Sequence, residues 1–258
     1  MRGASEAALA DEGVAVRIRG VTMRYDGGST ALGPLDLDIA RGDFVSLLGS
    51  SGCGKSTALR LIAGLLRPSA GRIDSPADAR IGFVFQEPTL MPWASVRDNV
   101  RLPLTLAHVP AAQSIPRAEA ALAQVGLGDF ADAFPRQLSG GMKMRASLAR
   151  ALVTHPDILL LDEPFAALDE ITRFRLNDDL LALWRALGKT ILFVTHSVFE
   201  SVYLSRRVVV MTPRPGRVAA DFSIEAPPQR GDDFRTSAAY AAQCRAVSRA
   251  LARAGEDA

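Results

Sequence analysis

Hydrophobic and polar positions follow two different spacings along the chain, and the two spacings predict strands and helices respectively. Apolar and polar residues alternate over 14–25, which predicts a strand with one buried face. Continuous apolar runs at 158–161 and 191–195 are typical of central parallel strands that are covered on both faces. Further strands are predicted at 35–39, 43–48, within 80–86, and at 207–211.

Helical spacing is concentrated between residues 94 and 154. This stretch has few β-branched residues and predicts a helical subdomain inserted into the sheet domain. Outside it, a helix is predicted at 169–187 with Gly188 as its stop. The other predicted helices lie at 56–66 and 237–254, and those of the subdomain at 96–106, 117–125 and 142–152.

The composition fits one sizeable α/β domain with a smaller subdomain. The chain has 258 residues, of which 48% are hydrophobic, so it can bury a full core. Its 30 basic and 28 acidic residues lack the single dominant charge of a nucleic-acid-binding chain, and no nucleic-acid partner is expected. Cys53 and Cys244 are too few for a disulfide framework, which favours a reducing compartment.

No segment of the sequence is typical of a membrane span or a secretion signal. The N-terminal residues lack a basic start followed by an apolar core. The longest apolar runs are far shorter than the ~20 residues that cross a bilayer. Any link to a membrane is therefore expected to go through a partner.

A glycine-rich loop joins the predicted strand at 43–48 to a predicted helix. Residues 49–56, Gly-Ser-Ser-Gly-Cys-Gly-Lys-Ser, fit the P-loop pattern. In such a loop, backbone N–H groups surround phosphate oxygens and the helix N-terminus adds a partial positive charge. Lys55 supplies a full charge for the β and γ phosphates, and the Ser56 hydroxyl is an oxygen ligand suited to Mg²⁺. The predicted phosphate-binding residues are Gly49, Ser50, Ser51, Gly52, Cys53, Gly54, Lys55, Ser56 and Thr57.

Two carboxylates follow the apolar run at 158–161. Ligands of open parallel sheets bind at the carboxyl ends of the strands, which places Asp162 and Glu163 at the predicted phosphate site. Asp162 can hold Mg²⁺ directly or through water, and Glu163 can orient or deprotonate the attacking water. His196 ends the next apolar strand and can donate a hydrogen bond to the transition state. The alternatives are an acidic helix cap and a structural histidine.

A second loop, Ser139-Gly140-Gly141, opens the predicted helix at 142–152. It is another anion-binding helix N-terminus, but it has no lysine and no acidic pair after it. Such a half-site is useful if another molecule supplies the other half.

This second loop resembles the signature motif of ATP-binding cassette (ABC) ATPases, and the resemblance extends over residues 14–217 with the motifs in the family's order. It implies that ATP and Mg²⁺ are the cofactors and that Tyr25 stacks on adenine. It also implies that Gln86 is the Q-loop glutamine, which touches Mg²⁺ and the attacking water.

The same resemblance assigns the remaining motifs. Asp162 and Glu163 correspond to the Walker B aspartate and the catalytic glutamate, residues 166–169 to the D-loop, and His196 to the switch histidine. Ser197 follows the histidine where the family commonly has Asp; Met142 and Ala166 also depart from common residues, and none of the three is a phosphate ligand.

The resemblance further implies an assembly. The chain is expected to form a homodimer on the cytoplasmic face of the inner membrane, bound peripherally to integral permease subunits and serving an extracytoplasmic solute-binding protein. Leu90-Met91-Pro92-Trp93 and residues 162–169 are similar to bacterial importers for nitrate, sulfonate, taurine and related small molecules. The short 71–83 segment is not typical of that group.

These features predict an α/β P-loop NTPase core with an antiparallel β edge and an inserted helical subdomain. The predicted parts are an N-terminal extension (1–13), a nucleotide-binding core (14–93 and 155–217), the signature subdomain (94–154) and a C-terminal extension (218–258). The alternative functions are an ABC exporter or lipid transporter, a non-transport ABC ATPase, and a P-loop kinase. A kinase would not need the Ser139-Gly140-Gly141 loop.

Overall fold

The computed structural model describes residues 13–25, 27–227 and 229–256, which form two compact units. The first unit contains the described residues up to Ala79 and those from Lys189 onward, and the second is Arg80–Gly188. The predicted N-terminal extension, apart from Gly13, lies outside the described residues, as do residues 257 and 258 of the predicted C-terminal extension.

The first unit begins with β1 (Val14–Arg24), β2 (Thr30–Ala40), β3 (Phe44–Leu48), α1 (Lys55–Ile62) and β4 (Ala70–Asp74). The second unit contains β5 (Ile81–Val84), α2 (Val96–Leu106), α3 (Ala111–Gln124), α4 (Gly140–Leu152), β6 (Ile158–Asp162) and α5 (Glu170–Leu187). The first unit resumes with β7 (Thr190–Thr195), α6 (Val198–Leu204), β8 (Arg207–Met211), β9 (Val218–Ser223), α7 (Asp232–Arg235) and α8 (Ala238–Glu256).

An antiparallel sheet of order β2-β1-β4 forms one part of the first unit. Ile18 pairs with Leu37 on one side and with Ile73 on the other, and Ile18 and Leu37 are buried. The alternation of apolar residues therefore gives β1 and β2 one covered face each. The predicted antiparallel edge is confirmed, although the sequence pattern indicated two of its strands and not β4.

Parallel strands form the other sheet of the first unit. β3 lies between β7 and β8, parallel to both, and β9 pairs antiparallel with β8. All residues of β3 and β7 are buried. The continuous apolar runs therefore mark strands that are covered on both faces, as the sequence predicted.

The C-terminal helices pack on α6 and the strands beside it. Tyr203, Phe234 and Tyr240 form an aromatic cluster with ring centroids 5.2–6.5 Å apart. The Tyr240 hydroxyl donates to the carbonyl oxygen of Phe199 in α6 at 2.9 Å. Burial raises the pKa of the Tyr240 phenol far above its usual value, so the phenol keeps the proton that it donates.

The second unit combines a parallel strand pair with a group of helices. β5 and β6 pair in register from Ile81 opposite Ile158 to Val84 opposite Leu161. Helices α2, α3 and α4 enclose an apolar cluster that includes Val100, Leu122 and Ala146, each fully buried. These helices lie within the predicted signature subdomain, whose boundaries stay a prediction.

Candidate nucleotide-binding site

The P-loop runs from the end of β3 to the start of α1 and needs glycine at its last turn. Gly54 precedes α1 with φ at 103°, a conformation that L-residues with a side chain rarely adopt. A Cβ atom at Gly54 would lie 2.7 Å from the carbonyl oxygen of Ala31 and 2.7 Å from Leu32 Cδ2. The local fold thus explains the glycine that precedes Lys55 in the motif.

Lys55 is buried against the loop that it follows. Its Nζ atom donates to the carbonyl oxygen of Gly49 at 2.8 Å and to that of Ser50 at 2.9 Å. Lys55 is 3% exposed, so its charge lies inside the loop, where solvent weakens its attraction to a bound phosphate least. Ser56 follows with a partly exposed side chain.

Tyr25 lies beside this helix, at the end of β1. Its hydroxyl oxygen is 3.2 Å from the Oγ1 atom of Thr57 in α1. Tyr25 is 39% exposed, so an aromatic base can stack on its ring. The structure therefore brings the predicted adenine platform to the predicted phosphate loop within one unit.

His196 leaves the sheet at the same edge as the P-loop. Thr195 of β7 pairs in register with Leu48 of β3, and the next residues along the two strands are His196 and Gly49. His196 is exposed. This arrangement brings His196 to the same end of the parallel strands as the start of the phosphate loop, where ligands of parallel sheets bind.

Sequence reasoning missed Arg214, which contacts the P-loop from the turn between β8 and β9. Its Nε atom donates to the carbonyl oxygen of Gly52 at 3.3 Å, and its Nη1 atom donates to Ser29 Oγ at 3.2 Å. The N–H group of Gly216 in the same turn donates to the Ala31 carbonyl at 2.9 Å. The sequence indicates no role for Arg214, because no local pattern links this turn to a loop so distant in the sequence.

In the second unit, three predicted site residues share one strand edge. Gln86 lies two residues beyond Val84 and Glu163 lies two residues beyond Leu161, and Val84 and Leu161 are register partners. Asp162 is the last residue of β6 and is 5% exposed. Gln86 is exposed and Glu163 is partly exposed.

Glu163 has an unusual backbone. Its φ angle is 45°, in the left-handed region that costs a residue other than glycine about 1–3 kcal/mol. Strain of this kind is concentrated at functional sites, where the surrounding structure imposes it. The conformation turns the chain away from β6 immediately after Asp162.

The signature loop begins helix α4. The Oγ atom of Ser139 accepts the N–H of Met142 at 3.3 Å and caps the helix. A Cβ atom at Gly141 would lie 2.8 Å from Thr172 Cγ2, so glycine allows α4 to approach α5 closely. Ser139 and Gly140 are exposed, and the free backbone N–H groups of a helix start can bind an anion there.

Two polar side chains hold the segment that follows Gln86. Asn99 is fully buried; its Oδ1 atom accepts the Met91 N–H at 2.6 Å, and its Nδ2 atom donates to the carbonyls of Met91, Ala94 and Ser95 at 2.9–3.2 Å.

Arg150 of α4 holds the beginning of the same segment. It donates to the carbonyl oxygens of Pro88 and Thr89 at 2.7 and 2.8 Å, and burial lowers the pKa of its guanidinium. Within this well-anchored segment, Trp93 is 76% exposed. Trp93 therefore does not pack into the core of the helices.

The donor chemistry fits Mg²⁺. Ser56, Gln86 and Asp162 offer hydroxyl, amide and carboxylate oxygens, the ligand type that this hard cation prefers. Among residues 13–25, 27–227 and 229–256, no group of three or more His, Cys, Asp or Glu side chains is placed to hold a metal. Mg²⁺ at nucleotide sites is held by one or two protein oxygens together with substrate phosphates, so such a group is not needed there, and the Mg²⁺ ligands stay a prediction.

The family can be decided from the match to a known family model. The model described as ABC transporter matches residues 32–166, which is more than half of the chain. The chain belongs to the ABC transporter family. The match runs from β2 to the residues that follow Glu163, and it makes the protein an ABC-type ATPase.

Named relatives extend this assignment beyond the matched segment. The taurine import ATP-binding protein TauB of Rhizobium johnstonii is 48% identical over 209 residues, covering 78% of this chain and 79% of that protein. The aliphatic sulfonates import ATP-binding protein SsuB 1 of Xanthomonas axonopodis pv. citri is 47% identical over 211 residues, covering 79% and 84%. The predicted resemblance to this importer group is confirmed.

Solved structures confirm the predicted fold. The ATP-binding cassette MJ0796, determined as a dimer in a post-hydrolysis state with ADP and Pi, matches with a TM-score of 0.72 at 32% identity, covering 82% of this ABC ATPase and 100% of that chain. In the described part of this chain, no helix is both long enough and apolar enough to cross a membrane.

Proposed function

We propose that this ABC ATPase energises the import of a small solute across the cytoplasmic membrane. Two copies bind to the cytoplasmic face of integral permease subunits, and a solute-binding protein outside delivers the solute. The direction of transport is inferred from the similarity of this chain to subunits named for the import of taurine and aliphatic sulfonates. The identity is 47–48% over more than three quarters of the chain.

Nucleotide binding is assigned to the predicted motif residues. Tyr25 stacks on adenine, and the backbone N–H groups of the P-loop surround the phosphates. Lys55 changes partners from the loop carbonyls to the β and γ phosphates. Ser56, Gln86 and Asp162 would hold Mg²⁺, which would neutralise phosphate charge when bound.

Three side chains are assigned roles in hydrolysis. Glu163 accepts a proton from the attacking water, which its position immediately after Asp162 supports. Gln86 orients the same water. His196 donates a hydrogen bond to the γ-phosphate as negative charge builds up on its oxygens, which its place beside Gly49 supports.

The signature loop serves the nucleotide of the partner chain. The exposed N-terminus of α4 offers backbone N–H groups and the Ser139 hydroxyl, but the loop carries no lysine or acidic pair of its own. In a head-to-tail dimer with two-fold symmetry, each P-loop meets the partner's signature loop, which produces two equal sites. The dimeric structure of the ATP-binding cassette MJ0796 supports this arrangement.

Mixing two inactive variants tests the shared site. Lys55→Ala removes the charge of the P-loop half, and Ser139→Arg blocks the signature half. Each variant homodimer then lacks an intact site, whereas a mixed dimer has one site in which both halves are intact. We expect mixing to restore ATP hydrolysis, below the wild-type rate. Absence of rescue in purified mixed dimers, isolated through two different affinity tags, would contradict the shared site.

The direction of transport needs a separate experiment. The ATPase is reconstituted with its permease in lipid vesicles, and hydrolysis is measured with and without the solute-loaded binding protein. An importer is stimulated by the binding protein from the extracytoplasmic side. Hydrolysis that is insensitive to any binding protein and stimulated by a solute on the side of the ATPase would favour the exporter.

A further inference from the structure

The placement of His196 depends on a turn that is fixed on both sides. Before it, Thr195 ends β7, is 2% exposed and pairs with Leu48. After it, Ser197 caps helix α6, and its Oγ atom accepts the N–H of Glu200 at 3.3 Å. His196 is exposed, and the backbone of the turn between these two residues sets the position from which its side chain leaves the chain.

Glu200 links the two sides of the turn. The Thr195 hydroxyl donates to Glu200 Oε2 at 2.6 Å, and the same hydroxyl oxygen accepts the N–H of Ser197 at 3.0 Å. Because the hydroxyl hydrogen points at the carboxylate, the oxygen presents a lone pair to Ser197. The bond is short, with 2.6 Å between the two oxygen atoms, and it fixes this orientation.

The cost of burying Glu200 argues against a role in helix formation alone. Glu200 is 8% exposed, and taking a carboxylate out of water is unfavourable unless its hydrogen bonds compensate. Helix α6 already has Ser197 as its cap. The carboxylate instead reaches back to the strand residue that precedes His196.

We infer that Glu200 is a positioning residue for His196. Its carboxylate orients the Thr195 hydroxyl, which holds the Ser197 amide and so fixes the backbone of the histidine between them. The inference rests on the proposed role of His196 at the γ-phosphate. It predicts that Glu200 affects the hydrolytic step and leaves the affinity for ATP unchanged, because Tyr25 and Lys55 are untouched.

Steady-state hydrolysis by the full chain, assembled with its permease, tests the inference. Glu200→Ala is expected to lower kcat by about 10–10²-fold, the effect of misplacing a reacting group by about 1 Å, with KM for ATP unchanged. Glu200→Gln keeps an acceptor oxygen for the Thr195 hydroxyl and should recover most of kcat. If Glu200→Ala and Glu200→Gln are equally slow, or if KM rises as kcat falls, the inference is wrong.

A matched control separates positioning from stability. Ser201 is fully buried in the same helix, and its Oγ donates to the Val198 carbonyl at 2.8 Å. Ser201→Ala should lower the melting temperature while kcat stays at the wild-type value. Where Glu200→Ala does not fold, Thr195→Val and Thr195→Ser carry the same test, since only serine keeps the hydroxyl.

A double variant shows whether Glu200 acts through the histidine. If it does, His196→Ala and His196→Ala/Glu200→Ala have the same kcat, because non-additivity marks a shared mechanism. A further fall in the double variant overturns the inference. If His196→Ala alone hydrolyses ATP at the wild-type rate, the proposed role of His196 fails instead, and the two failures are distinguishable.

Discussion

The phenolic oxygen of Tyr25 lies 3.2 Å from the hydroxyl oxygen of Thr57, which joins the end of the first strand to the helix that follows the P-loop. This contact holds the exposed aromatic ring at a defined distance from the phosphate loop. The base and the phosphates of one nucleotide can therefore be bound by residues of a single unit.

Substitutions at Tyr25 distinguish the contribution of the aromatic ring to ATP binding from that of the hydroxyl group. Stacking of a base on an aromatic side chain contributes about 1–3 kcal/mol, so Tyr25→Ala should weaken ATP binding by about 10–10²-fold. Tyr25→Phe keeps the ring and should remain within about threefold of wild type, since the lost hydrogen bond is partly exposed. Titration calorimetry with a non-hydrolysable ATP analogue measures both. Wild-type affinity in Tyr25→Ala would disprove the stacking role.

Glu163→Gln tests the proposed general base. The amide keeps the size and hydrogen bonding of the side chain but cannot accept the proton, so ATP turnover should fall about 10²–10⁴-fold with nucleotide binding retained. Glu170→Gln is the matched control, because Glu170 is exposed in the first turn of α5. Hydrolysis by Glu163→Gln at the wild-type rate, with the permease present, would show that another group is the base.

Trp93 offers a test of the permease contact. Its side chain is 76% exposed on a segment held by Asn99, so Trp93→Ala should leave the subunit folded and able to bind ATP. Aromatic side chains of this kind are common interface anchors, and copurification with the permease should be lost. Leu106, 71% exposed at the end of α2, is the control, and Leu106→Ala should copurify normally. Loss of circular dichroism in Trp93→Ala would contradict the contact role.

Asn99 should determine the stability of the same segment. Asn99→Ala leaves the N–H of Met91 and several carbonyl groups without their partner, at a cost of about 1–3 kcal/mol in the free energy of unfolding. Thermal denaturation measures the loss, and limited proteolysis should show faster cleavage within 88–95. Thr105→Ala, at an exposed position of the same helix, should be within about 0.5 kcal/mol of wild type. Equal stability of the two variants would contradict the prediction.

Sequence reasoning succeeded where elements are buried or carry a motif. The apolar runs before His196 and Asp162 are fully buried strands, and their ends carry the residues that the motifs indicated. Helix α5 begins after the Asp169 cap and ends at Gly188, whose φ of 59° matches the predicted stop. In these places the local pattern and the tertiary environment require the same residues.

Sequence-based prediction failed for strands that bury few residues and for short helices. β4 and β9 are mostly exposed, so neither shows apolar alternation, and both are fixed by hydrogen bonds to a neighbouring strand. Helix α6 has seven residues, too few for a helical period to be recognised. Helix α3 was predicted to begin after Pro116, but it begins at Ala111 and includes that proline, because packing against α2 and α4 outweighs the lost hydrogen bond.

The hydrogen bond from Tyr240 to the Phe199 carbonyl attaches the C-terminal helix α8 to α6, the helix that follows His196. A compound bound between these two helices would disturb the turn that carries the histidine, without occupying the nucleotide site. Such an inhibitor would slow hydrolysis non-competitively, and a high cellular concentration of ATP would not displace it.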